Sequence, residues 1–88
     1  MIKKNDYTPW GKAQEVTQIF DNIWMIETAS HGGLYIADEL ASIIPQSFID
    51  NTFLKYRNWY EEDCDLIKIL QWLGLLKEFL KMREEAMR

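Results

Sequence analysis

The sequence is poor in cysteine: Cys64 is the only one, so the chain cannot form a disulfide bond within itself. A lone thiol is typical of a reducing compartment, because small secreted domains usually carry paired cysteines. Long apolar runs are missing too, since Lys68, Gln71 and Lys77 interrupt the most apolar stretch far short of the roughly 20 residues that span a bilayer. No apolar signal-peptide core follows the basic, polar start. We therefore expect a cytoplasmic protein that does not associate with membranes.

Positive charge is also scarce. Ten Lys and Arg residues stand against 14 Asp and Glu residues, which gives a formal net charge of −4. Proteins that bind nucleic acids in general normally carry a basic face, so the balance excludes that class. The sequence also lacks a phosphate-binding loop, the paired cysteines of zinc sites, HExxH and GxSxG. We therefore expect no cofactor, and we assign no catalytic residue and no resident metal ion.

Apolar residues, in contrast, are plentiful. They make up 48% of the 88 residues, and aromatic residues make up 14%. Such a short chain buries a limited share of its surface, but each aromatic side chain removes roughly 150–250 Å² from water. The sequence therefore predicts one folded domain over residues 1–88.

The first half of the chain has the pattern of short β-strands. Residues 1–11 are predicted to form an irregular arm, because Thr8-Pro9-Trp10-Gly11 favours a turn. The strands are predicted at 15–20, 23–30 and 34–36, and the tight turns between them at Asp21-Asn22 and His31-Gly32-Gly33. Residues 15–36 should therefore form a three-stranded antiparallel meander.

Beyond residue 36 the apolar period becomes helical. Residues 37–44 are predicted to form a short helix that ends at Pro45, and residues 47–60 an irregular or partly helical segment. From Glu61 onward an amphipathic helix is predicted, with the stripe Leu66, Ile69, Leu70 and Leu73. The predicted fold is α+β, with the mainly helical residues 37–88 packed on one face of the meander.

The first candidate ligand site is Ser30-His31-Gly32-Gly33. Paired glycines let the backbone pass close to a ligand and expose its N–H groups. His31 is the only histidine of the chain, and an imidazole can act as a base or bind a metal. The alternative is a simple hairpin turn with an exposed imidazole at its tip.

The second candidate site is acidic and comprises Glu61, Glu62, Asp63 and Asp65. These carboxylates lie within five consecutive residues and could hold Mg²⁺ or Mn²⁺. The alternative is that acids collect in a first helical turn, where the helix dipole favours each by about 0.3–1 kcal/mol. Because like charges this dense repel one another, a cation or a basic partner would relieve the cluster.

Trp10 is the third candidate. A ring beside Pro9 and Gly11 can form a stacking platform for a ligand, or it can pack the N-terminal arm against the core.

Cys64 is a weaker candidate for a nucleophile beside His31. The carboxylates that flank Cys64 should raise its pKa and disfavour the thiolate, so we do not assign it to the site.

These motifs resemble those of a family of small uncharacterised domains found in bacteria, often on phage and plasmid elements. The shared pattern is the TPWG start at residues 8–11, the SHGG stretch at 30–33 and the W-x-EED stretch that begins at Trp59. The resemblance covers residues 7–74, and the basic tail after Leu76 lies outside it. It implies no activity, but it implies that the SHGG stretch and the acidic cluster belong to one recurring pattern and that a mobile element encodes the protein.

Taken together, the sequence favours a non-enzymatic module that binds a protein or a small ligand through the surface bearing His31 and the acids of 61–65. One alternative is a small metal-dependent hydrolase in which His31 is a base or ligand and the carboxylates supply oxygens. Another is a structural homodimer, or another homo-oligomer, that packs through its apolar C-terminal helices. The distance between the His31 ring and the nearest carboxylate separates a shared site from two unrelated motifs.

Overall fold

The computed structural model describes residues 2–87, so Met1 and Arg88, the ends of the predicted domain, lie outside the described residues. The strands are β1 (Tyr7–Thr8), β2 (Gly11–Lys12), β3 (Glu15–Phe20), β4 (Ile23–Glu27), β5 (Gly32–Ile36) and β6 (Trp59–Glu61). The helices are α1 (Asp38–Ala41), α2 (Gln46–Ile49), α3 (Leu66–Trp72) and α4 (Leu76–Ala86). The fold is therefore α+β, as predicted.

The main sheet has four antiparallel strands in the order β3-β4-β5-β6, so the prediction of a three-stranded meander is wrong. The missed strand is β6, which pairs Glu61 with Gly33 and Tyr60 with Leu34. A strand of three residues is too short to show a period of two, and its partner lies far away along the chain. Residues 37–88 consequently contain a strand as well as helices.

The first hairpin of the sheet follows the prediction. Asp21 and Asn22 connect β3 to β4, with Phe20 paired to Ile23, and Asn22 has a φ of 64°. Asparagine tolerates this left-handed conformation better than most residues, so it suits a tight turn.

The second hairpin differs from the prediction. β4 ends at Glu27, and the turn comprises residues 28–31, whereas Gly32 and Gly33 already belong to β5. Position 33 requires glycine because the neighbouring atoms lie very close to its backbone. A Cβ there would overlap the carbonyl oxygen of Tyr60 and the ring of Trp10. The paired glycines therefore mark a crowded strand rather than a turn.

The N-terminal arm is ordered by a small hairpin rather than being irregular. β1 and β2 pair with each other, Thr8 with Gly11. The Thr8 hydroxyl donates to the Gly11 carbonyl oxygen at 2.7 Å and accepts the Trp10 N–H at 3.1 Å. These bonds aim the Trp10 ring back towards the main sheet.

The helices are shorter than predicted. α1 ends at Ala41, and Pro45 precedes α2 instead of ending a longer helix. α3 begins at Leu66 rather than at Glu61, because Tyr60 and Glu61 are committed to pairing with β5. The acids of 61–65 therefore lie at the end of a strand and in the following turn, not in a first helical turn. Gly74, with a φ of 77°, separates α3 from α4.

Both faces of the sheet are covered. On one face, called the helix face, Ile23, Leu34, Ile36 and Tyr60 pack with residues of all four helices, including Ile69, Leu70 and Phe79. On the other face, called the hairpin face, Trp24 and Ile26 pack with Trp10, Tyr35 and Trp59. The N-terminal segment thus covers the face that the helices leave open. Within residues 2–87, no helix combines the length and the apolar character that crossing a bilayer requires.

Candidate functional site

Strand geometry brings His31 and Glu61 to the same edge of the hairpin face. Side chains alternate along a strand, so Glu61 lies on the face opposite to the buried ring of Tyr60. Glu61 pairs directly with Gly33, and His31 precedes Gly33 by two positions, on the same side of the chain. The two motifs that the sequence singled out therefore meet in space.

Three potential ligand groups converge there. One ligand atom each from His31, Glu61 and Asp63 lies within 4.8 Å of the others. Glu61 is buried, with 6% of its surface exposed, whereas His31 and Asp63 are exposed. The arrangement combines one imidazole nitrogen with two carboxylate oxygens, which is a donor set for a cation.

These groups line a pocket of about 240 Å³ together with Trp10, Phe53 and Cys64. Trp10 is held edge-on against Trp59, with ring centroids 5.7 Å apart and an interplanar angle of 83°. Its indole Nε1 is buried and has no hydrogen-bond partner. Trp10 therefore both packs the N-terminal hairpin onto the sheet and forms part of the pocket wall, so the two alternatives considered for it coexist.

Thr28 fixes the turn that carries His31. Its hydroxyl donates to the His31 carbonyl oxygen at 2.7 Å, lies 3.2 Å from the Trp10 carbonyl oxygen and accepts the His31 N–H at 3.2 Å. The Thr28 N–H also donates to the His31 carbonyl oxygen at 2.9 Å. One side chain thus joins the imidazole-bearing turn to the segment that carries Trp10.

Ser30 and Glu62 lie beside the pocket rather than in it. They line a second, adjoining depression of about 220 Å³, which also reaches His31 and Asp63. The Glu62 N–H donates to the Gly32 carbonyl oxygen at 2.9 Å and extends the pairing of β5 and β6 by one bond. His31 and Asp63 are therefore shared between the two depressions.

Asp65 is placed elsewhere. It is fully buried, and its Oδ2 accepts the Phe53 N–H at 2.8 Å. Its Oδ1 lies 3.9 Å from the Lys68 Nζ and has no hydrogen-bond partner. Asp65 therefore does not line the pocket, but it holds the backbone of Phe53, which does.

Gly32 and Gly33 lie where a larger residue would clash with its neighbours. A Cβ at Gly32 would lie 2.6 Å from the Ile26 carbonyl oxygen, and one at Gly33 would lie 2.6 Å from the Trp10 ring. Both residues are buried. Their place in the SHGG stretch follows from the packing of β4, β5 and Trp10 around the pocket.

Cys64 contacts the buried carboxylate. Its pKa is raised, chiefly because its thiol donates a hydrogen bond to Glu61, then by desolvation and by the negative charges of Glu61, Asp65 and Asp63. Although Cys64 is exposed, its thiol therefore stays protonated at neutral pH. The expectation that nearby acids disfavour the thiolate is confirmed.

Thr28 and Phe53 belong to the site but are not among the residues predicted from the sequence. Thr28 directly follows β4 and lies three residues before His31, a spacing typical of side chains that stabilise turns. Phe53 lies in a segment with no clear period, and its N–H donates to the carboxylate of Asp65, twelve residues further along the chain. No local signal could have identified Phe53.

A larger pocket, of about 470 Å³, lies against Lys55, Tyr56, Arg57 and Trp59. The Arg57 guanidinium already donates to the carbonyl oxygens of Ala41 and Ile44 and to the side chain of Gln46. Because these bonds hold the loops together, the charged group of Arg57 stabilises the fold. We therefore place the candidate site at the smaller pocket, which Glu61 and Asp63 line.

Comparison with families of known proteins gives a match to DUF7007, a domain of unknown function, over residues 3–88. The match extends beyond residues 7–74, which carried the resemblance seen in the sequence, and it includes the tail after Leu76. No curated protein and no solved structure matches the chain.

Proposed function

The chain belongs to the DUF7007 family, whose function is unknown, and we propose that it is a binding module that holds a positively charged ligand in the pocket between Trp10 and Phe53. The observation that carries the proposal is the convergence of His31, Glu61 and Asp63 within 4.8 Å. Residues from two separate parts of the chain supply these groups, so their meeting is a property of the fold.

The residues that line the pocket indicate that its ligand is positively charged. Glu61 and Asp63 supply two carboxylates, and His31 supplies an imidazole, which offers a lone pair or a polar N–H. Lys68 pairs with Asp65, and within residues 2–87 no Lys or Arg forms a salt bridge with Glu61 or Asp63. Trp10 and Phe53 also line the pocket, and aromatic rings attract cations through the negative potential of their faces.

The test is ligand mapping by NMR on ¹⁵N-labelled protein prepared without a histidine tag. We expect Zn²⁺ or arginine amide to shift the His31 ring signals and the amides of Gly33, Glu61 and Asp63. E61Q should abolish the shifts. E62Q removes one negative charge from the adjacent residue, outside the pocket, and should retain them. Shifts confined to the pocket around Tyr56, or no shift with either probe, would refute the proposal.

The hydrolase alternative stays a prediction that we do not advance. In a metal-dependent hydrolase the ion can itself activate a water as nucleophile, but a further side chain usually transfers the proton. Apart from the three groups proposed to hold the ligand, the described residues that line the pocket are Trp10, Phe53 and Cys64, and the raised pKa of Cys64 keeps it as a thiol. Turnover of a generic phosphate or carboxyl ester that is lost in H31Q would revive this alternative.

A homodimer also stays a proposal. Trp72 on α3 and Leu80 on α4 are 43% and 49% exposed, which is high for large apolar side chains. Exposed apolar patches often mark contacts between proteins. A monomer by light scattering at high protein concentration would remove this role, and it would leave the pocket proposal untouched.

Three further proposals concern setting rather than chemistry. The resemblance suggests a mobile-element origin, the lone thiol of Cys64 suggests the cytoplasm, and the exposed aromatic residues suggest a protein partner. Genomic neighbours, localisation of a tagged copy and co-purification from the host test them in turn.

A further inference from the structure

We infer that the ligand of this pocket is a divalent transition-metal ion, bound by the His31 imidazole and the carboxylates of Glu61 and Asp63. This inference rests on the proposed function and names its ligand class. The sequence-based expectation assigned no metal ion; it considered Mg²⁺ or Mn²⁺ for the acidic run as a whole and, in the hydrolase alternative, His31 as a base or ligand beside those carboxylates.

The spacing of the three groups suits an ion. Because the three atoms lie within 4.8 Å of one another, an ion can sit within about 2.8 Å of each of them. Zn²⁺ binds nitrogen and oxygen at about 2.0–2.2 Å, so each atom must move inward by at most about 0.6–0.8 Å. His31 and Asp63 are exposed and lie outside the strands, so small side-chain rotations can supply that movement. Glu61, held in β6, is the fixed member of the set.

The burial of Glu61 gives an independent reason for a cation. Only 6% of the surface of Glu61 is exposed, and burying a carboxylate is costly unless a positive charge or several donors replace the water that it loses. Its partner is the weakly donating thiol of Cys64. An ion bound to Glu61 would neutralise the charge that the fold has removed from solvent.

The donor set selects the type of ion. Mg²⁺ and Ca²⁺ prefer sites made entirely of oxygen, whereas imidazole suits zinc, iron, nickel and copper, and one nitrogen with two oxygens also accepts manganese. The exposed members of the set and the pocket of about 240 Å³ leave room for water on the ion. The expected order of affinity is Zn²⁺ above Co²⁺ above Mn²⁺, with Mg²⁺ weakest.

Neighbouring groups hold the set in place. Thr28 binds the backbone of His31, and the Glu62 N–H ties the chain after Glu61 to Gly32. Partners of this kind orient metal ligands, and their loss typically weakens metal binding about 10-fold to 100-fold. The ligands of this site are therefore supported by the turn between β4 and β5 and by the pairing of β5 with β6.

The experiment is calorimetric titration of tag-free protein with Zn²⁺, Co²⁺, Mn²⁺ and Mg²⁺, with Mn²⁺ also followed by NMR. His31 is the only histidine, so its ring signals are unambiguous, and paramagnetic Mn²⁺ should broaden them first. We expect one Zn²⁺ per chain, with affinity lowered at least about 10-fold in H31Q and in E61Q. E62Q should stay within about threefold of the parent, because an exposed charge outside the set acts through a screened field.

The outcomes separate this inference from the proposed function. Equal loss in E61Q and E62Q, or Mg²⁺ binding as tightly as Zn²⁺, would show non-specific attraction to the acids and overturn the metal site. If arginine amide shifts the His31 ring and no metal ion does, the metal is wrong and the binding module stands. If neither acts on folded protein, both fail. Amide spectra establish that each variant is folded before its titration is interpreted.

Discussion

The ring of Trp10 occupies the space that a side chain on Gly33 would need: its Cη2 atom lies 2.6 Å from the position of a Cβ at Gly33. The N-terminal hairpin and the third strand of the main sheet are therefore matched to each other at one point. That match also builds the pocket, because Trp10 forms its wall and Gly33 pairs with Glu61.

Gly33→Ala should destabilise the protein by about 1–3 kcal/mol, the usual result of forcing an extra carbon into a packed region. The methyl group would overlap both the Trp10 ring and the carbonyl oxygen of Tyr60, so β5 and β6 must separate or Trp10 must leave. Urea unfolding followed by tryptophan fluorescence measures the loss. Ser30→Ala, on the adjacent exposed turn, is the control and should change stability little. Equal midpoints for both variants would contradict the packing described above.

Thr28→Val should weaken Zn²⁺ binding about 10-fold and lower the free energy of unfolding by about 1 kcal/mol. Valine keeps the shape of threonine but removes the hydroxyl that holds the His31 turn near the Trp10 carbonyl group. Thr17→Val is the matched control, because Thr17 is exposed on β3. Calorimetry and urea unfolding give the two quantities. Unchanged affinity in Thr28→Val would mean that the hydroxyl does not position His31.

Asp65→Asn should destabilise the fold by about 1–3 kcal/mol, because the amide oxygen accepts the Phe53 N–H without charge assistance and the amide NH2 is buried where Oδ1 has no hydrogen-bond partner. Lys68→Gln should change stability by less than about 1 kcal/mol, since its ammonium group is exposed and 3.9 Å away. Thermal melts of the two variants compare these effects. A larger loss from Lys68→Gln would show that the ion pair, not the bond to Phe53, is what Asp65 contributes.

Tyr60 should make the protein sensitive to alkali. Burial raises its pKa to about 12, the charge of Asp65 adds to the rise, and Arg57 opposes it. The neutral phenol is therefore favoured in the folded state. Its contribution to stability is complete below pH 10, where the unfolded chain also keeps the proton, and is lost as the pH rises from 10 towards 12.

The measurement is the free energy of unfolding between pH 9 and 12 for the parent and for Tyr60→Phe. The variant loses the hydrogen bond to the Arg57 carbonyl oxygen, so it should be about 1 kcal/mol less stable at pH 9. It should then decline less than the parent as the pH rises. Tyr56→Phe, at an exposed position, should behave like the parent. Parallel curves for parent and Tyr60→Phe would exclude Tyr60 as the cause.

Much of the candidate site was recognisable from residue types. His31 and the acids of 61–65 stood out as the groups able to bind a cation, and two of the carboxylates do meet the imidazole. What residue types could not indicate was which acids do so. Glu61 reaches the pocket, Glu62 lies beside it and Asp65 supports Phe53 from the interior.

The sequence by itself determined the elements that depend on neighbours along the chain. The alternation over Glu15–Phe20 and the turn at Asp21-Asn22 produced the first hairpin, and the stripe from Leu66 to Leu73 marked α3. In each case residues a few positions apart carry the whole signal.

Only the tertiary structure decided the strand at Trp59–Glu61, and with it the site. Its pairing with Gly33 joins segments that are remote in sequence, so no local period reports it. Once the strand forms, alternation buries Tyr60 on the helix face and turns Glu61 towards His31 on the other. Long-range pairing therefore converts a run of acids into one directed carboxylate, because the face of a strand is defined only relative to its partner.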